Sequence, residues 1–165
     1  MLSSLHDKIA KVIPIHGVSK DWDGNVSVSY IDQPNDSQLQ EINQIINSWP
    51  LEEAKIKKLA KIDAEWSQTI AQGWNSEQGT LGLTANDIAL LSGCHALGKE
   101  ADALGMPIPS IVTMENTEIT FTTMAQFTQL MLQYGAYRAH LSSTFAARRR
   151  AVESATSLEE LELIP

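Results

Sequence analysis

The longest regular pattern of apolar positions lies in residues 122–152, TTMAQFTQLMLQYGAYRAHLSSTFAARRRAV, which contain no proline and a single glycine. From Met124, alternating three- and four-residue steps fall on Phe127, Met131, Tyr134, Arg138, Leu141, Phe145, Arg148 and Val152, and seven of these nine positions are apolar. That is an a/d seam of about four heptads, the mark of a helix that packs against another helix. Thr123 and Gln126 stand at capping-box spacing at its start. Arg148, Arg149 and Arg150 fall in its expected last turns, where the helix dipole favours cations.

Upstream, the pattern changes period. Leu2, Leu5, Ile9 and Val12–Ile13 recur at helical spacing until Pro14 stops the helix. After an extended piece at 15–19 and an Asp23-Gly24 turn, the segment NVSVSYI alternates Val26, Val28 and Tyr30 against Ser27 and Ser29. This reads as a hairpin near 15–31 with one wet face. A helix near 36–49 follows, capped from Asn35, Asp36 or Ser37 and carrying Leu39, Ile42, Ile45, Ile46 and Trp49 on one side. Pro50 is expected to end it.

Beyond Pro50, Ile56, Leu59, Ile62, Trp66, Ile70 and Trp74 form the stripe of a second helix near 51–75. Gly79 and Gly82 predict a loop. A third helix near 84–104 is expected to turn Ile88, Leu91, Cys94 or His95, Leu97, Ala101 and Leu104 inward, with Gly105 at its end. An extended connection at 108–121 with a turn at Glu115-Asn116 leads to the long helix near 122–153. A short helix near 157–163 closes the chain. The fold class expected is mainly α: a small N-terminal unit over 1–49, a β-hairpin plus a helix, then a helical domain over 50–165 built as a long-helix bundle or coiled-coil-like region.

Composition narrows the function. The chain has 165 residues, 43% of them hydrophobic, and a net charge of -8. An acidic chain argues against nucleic acid as main partner. No apolar run approaches the ~18 residues that span a membrane, and residues 1–15 lack a signal-peptide pattern. Cys94 stands alone, so no internal disulfide forms and a reduced cytoplasmic site of synthesis is expected.

The candidate chemistry consists of lookalikes. Gly93 to Lys99 fits G-x-x-x-x-G-K, but Glu100 replaces the Ser or Thr that holds magnesium, and the segment lies inside a helical pattern. The four histidines, His6, His16, His95 and His140, offer no metal-ligand spacing. Asp21, Asp23 and Asn25 resemble the start of a calcium loop, yet Gly24 comes too early and no glutamate closes it. Cys94 and His95 are neighbours on a helix and do not face each other. No catalytic, cofactor-binding or metal-binding residue is assigned, no cofactor is expected, and the chain does not read as an enzyme. The residues singled out instead are candidate interface anchors: Trp66, Trp74, Phe127, Met131, Tyr134, Leu141 and Phe145.

Two segments resemble something known. Glu115-Asn116, the long helix and the closing SATSLEELE at 154–162 are similar to a helical domain of unknown function that is widespread in tailed-phage and prophage tail proteins. The segment HGVSKDWDGNVSVSYIDQPNDSQLQEINQIINSW at 16–49 resembles a small unit found in the same kind of protein. The resemblance implies a structural virion protein of the tail, made in the host cytoplasm. It would join tail fibre to baseplate or form the fibre's proximal part, with tail, fibre or baseplate proteins as partners in a homo- or hetero-oligomer. It implies no catalytic residues, no nucleic acid and no membrane. A tail-fibre assembly chaperone, absent from the mature particle, is the alternative.

Overall fold

The computed structural model describes residues 2–165. In chain order its elements are α1 (Leu2–Ala10), β1 (Ile15–Lys20), β2 (Val26–Tyr30), α2 (Asp36–Gln72), β3 (Trp74–Ser76), β4 (Gly79–Leu81), α3 (Ala85–Ala103), β5 (Ile111–Val112), β6 (Glu118–Ile119), α4 (Met124–Ser154) and α5 (Leu158–Glu162). The fold is mainly helical, at 62%. Its six strands form three separate two-stranded antiparallel hairpins. Among the described residues no helix is long and apolar enough to cross a membrane.

Pro50 does not end a helix. It lies inside α2, which runs unbroken for 37 residues. A proline within a helix removes one hydrogen bond and crowds the preceding turn, at a cost of about 3 kcal/mol. Here Pro50 is exposed, while Ile42 and Trp49 before it and Ile62 after it are buried. Burial on both sides of the proline outweighs the local penalty. The chain divides instead into a unit of Met1–Leu59 with Ala151–Pro165 and a unit of Ala60–Arg150.

In the first unit, Leu5, Ile9, Ile13, Ile15, Ile42 and Trp49 make the core, with Val18, Val26, Val28 and Tyr30 packed against it. The alternation of β2 therefore emerges as expected, its valines inward and its serines wet. Val18 pairs with Val28 across the hairpin, and the register shifts between Ile15 and Gly17. Asn35 caps α2: its side chain accepts from the Gln38 N–H at 2.9 Å while its own N–H donates to the Gln38 side chain at 3.0 Å. At the other end of the sequence, Val152, Ala155 and Leu161 are buried, and Lys55 Nζ donates to the Glu153 carbonyl at 3.0 Å.

The second unit has its own core of Leu81, Leu83, Leu91, Ile111, Ile119, Phe121, Phe127, Leu130 and Tyr134. The loop expected over 75–82 is in fact the β3–β4 hairpin, and the extended connection before α4 is the β5–β6 hairpin. Strands of two or three residues are too short to carry an alternation, so of these hairpins only the Glu115-Asn116 turn and a brief strand near 119–121 were expected. Gly73 makes the exit from α2 possible. Its φ is 75°, and a Cβ there would lie 2.6 Å from the Met114 sulfur and 2.7 Å from the Leu81 carbonyl oxygen. Capping boxes open both later helices, from Thr84 and Asp87 for α3 and from Thr123 and Gln126 for α4.

Candidate functional site

All seven anchors expected at an interface lie in the second unit, and the chain itself occupies them. Phe127 is fully buried and stacks on Phe121 with centroids 4.2 Å apart. Tyr134 is buried as well, its hydroxyl donating to the Gly82 carbonyl at 2.7 Å. Desolvation of that phenol raises its pKa. Met131, Leu141 and Trp74 are half-buried against the same core, and Trp74 meets Tyr134 edge to face at 5.8 Å. Phe145 meets Trp66 edge to face at 5.2 Å. The two cations on the seam have partners too: Arg138 donates to the Leu83 carbonyl, and Arg148 pairs with Glu65 at 2.7 Å.

The seam of α4 is thus filled within the chain, by residues 60–72 of α2, by α3 and by the short hairpins. Phe127 and Tyr134 are core residues and present no surface to a partner. The arginine triplet also differs from expectation. Because α4 continues to Ser154, its last turn holds no basic residue. Arg148 and Arg149 are placed by ion pairs to Glu65 and Asp63, not by the helix terminus.

The titratable groups suggested by sequence have structural work. Asp21 accepts from the Asn25 N–H at 2.8 Å and from the Asn25 amide at 2.9 Å, which fixes the β1–β2 turn and lowers the carboxyl pKa. Glu115 accepts from the Thr80 N–H at 3.1 Å. Hydrogen bonds from the Thr80 side chain and backbone hold its pKa down, to about 2. That contact, with the Met114 N–H donating to the Thr80 carbonyl at 2.8 Å, ties the β5–β6 turn to β4. His95 lies 3.0 Å from the Thr128 hydroxyl, and desolvation, with Lys99 nearby, lowers its pKa. Among the described residues no three His, Cys, Asp or Glu side chains gather as a metal site.

Several large apolar side chains remain outside the core. Leu90, Leu97 and Leu104, two of them expected to point inward, are 64%, 65% and 74% exposed. Ile88, Leu91, Cys94 and His95 take the inward side of α3 as expected, and only Leu97 and Leu104 depart from that face. Beside Leu90, an open cleft of about 220 Å³ between α3 and β5 is lined by Leu91, Cys94, Ile111 and Val112, with Asp87 and Ser110 also in its wall. The sequence signal for this strip was the dipeptide Ala-Leu at 89–90, 96–97 and 103–104.

Fold and surface together define a mainly α protein with an exposed strip of leucines along α3. No known protein family, curated protein or solved structure matches the chain.

Proposed function

We propose that the chain is a structural component of a phage tail, joining tail fibre to baseplate or forming the fibre's proximal part, and that it acts by packing helical faces. The observation that carries this reading is the apolar strip on α3, on a chain whose other candidate groups are tied into its own fold. A strip of large apolar side chains at regular helical spacing is the surface of a docking protein. The resemblance of 16–49 and of 115–162 to units of tail proteins supplies the setting.

A tail-fibre assembly chaperone remains the second reading. It is favoured by the same strip, since a face this apolar has to be covered while the fibre matures. Mass spectrometry of purified particles of the encoding phage separates the two. Presence at a small fixed ratio to the major tail protein supports the tail role. Synthesis during infection with absence from particles supports the chaperone, and absence from both overturns both.

A further inference from the structure

The exposed strip has an internal regularity that points to its occupant. Leu90, Leu97 and Leu104 recur every seven residues, each preceded by alanine: Ala89, Ala96 and Ala103. A seven-residue period keeps one stripe facing a partner helix, and small neighbours let two backbones approach closely. The leucines span about 21 Å of helix. Gly93 lies between the first two, and a Cβ built on it meets nothing within 4 Å. Glu100 holds the equivalent place between the second and third.

We propose that this strip is the interface of a two-fold symmetric dimer, in which α3 packs antiparallel on α3 of a second copy about an axis through Leu97. The spacing is symmetric about that residue, as an isologous contact requires. An axis there sets Leu104 of each copy beside Leu90 of the other, at the apolar cleft lined by Leu91, Cys94, Ile111 and Val112. Leu104 is the knob and the cleft is the hole.

Charge selects the antiparallel arrangement. Glu100 is the ionisable group that falls between the leucines, while Asp87 stands in the wall of the cleft. Parallel helices would place two Glu100 carboxylates side by side; antiparallel ones move each towards Gly93 of the other copy, where there is no side chain to displace. The contact is small, burying on the order of 1,000 Å² in total, which marks a reversible association rather than a permanent one. Because each copy carries a net charge of -8, added salt should tighten it by screening the repulsion between copies.

This inference deepens the proposed reading by naming the strip's occupant, and the two fail separately. A monomer found in particles overturns the dimer alone, and a dimer missing from particles overturns the tail role alone. The test is sedimentation equilibrium of the purified chain from about 1 µM to about 1 mM, at low and high salt. The expected result is a monomer–dimer equilibrium that Leu97→Glu weakens at least about 100-fold while the helical circular-dichroism signal is kept. A second measurement stands even if that variant misfolds. In a Cys94→Ser background, chains carrying Leu90→Cys are mixed with chains carrying Leu104→Cys and oxidised. Mixed disulfides should outnumber like-with-like ones. A monomer throughout, a trimer, a dimer indifferent to Leu97→Glu, or a predominance of like-with-like crosslinks would each overturn the proposal. A monomer would leave the strip to a helix of some other protein.

Discussion

Trp66 on α2 and Phe145 on α4 meet edge to face with ring centroids 5.2 Å apart. That contact is why the seam of α4 needs no second chain at this point: the aromatic expected to seek a partner has one in its own unit. Aromatic pairs in this geometry are worth about 0.5–1.5 kcal/mol beyond the area they bury. Replacing each with alanine, singly and together, should therefore reveal a coupling of about 1 kcal/mol in urea denaturation. Strict additivity of the two single changes would mean that the pair does not form.

On α3, two leucines six residues apart should behave oppositely. Leu91 belongs to the core and Leu97, six residues on, stands mostly in solvent. Leu91→Ala should destabilise the protein by about 2–4 kcal/mol, the cost of lost burial and a residual cavity. Leu97→Ala should fall within about 0.5 kcal/mol of the parent, measured on dilute protein so that association does not contribute. Equal costs at the two positions would place the wrong face of α3 inward.

Pro50 offers a gain. It is exposed within α2 and lacks the N–H that its helical position would use. Pro50→Ala should restore a hydrogen bond and raise stability by about 1–3 kcal/mol, seen as a higher Tm. A lower Tm would show that the proline's restricted backbone is needed where it stands.

Glu115 sets an acid limit on one local contact. Its pKa is about 2 in the fold, against an ordinary glutamate value of 4.5, because Thr80 donates to the carboxylate. A depressed folded pKa means that the contribution is complete above the unfolded value. It declines as pH falls below about 4.5 and is gone once the pH passes below about 2. The Glu115 carboxyl, followed by NMR, should titrate well below the ordinary glutamate value, and Thr80→Val should move it upward. A Glu115 pKa near 4.5 in the intact protein would remove the contact.

Much of this protein was legible from its sequence. The mainly α class, the hairpin near 15–31 with Val26, Val28 and Tyr30 inward, and the long helix with its Thr123–Gln126 cap all follow from periodicity and local hydrogen bonding. These signals act within a few residues, so the chain carries them on its face. Tertiary packing decided the rest. Whether Pro50 ends a helix depends on what Trp49 and Ile62 can bury, and local propensity contains no term for that. Whether Phe127 and Tyr134 serve a partner or a core depends on what packs against them, and Tyr134 is held by the Gly82 carbonyl, 52 residues away along the chain. The outward place of Leu97 and Leu104 on α3 was decided in the same way. Both of its faces are apolar enough to be buried, and the unit could cover only the one bearing Leu91, leaving Leu90, Leu97 and Leu104 outside.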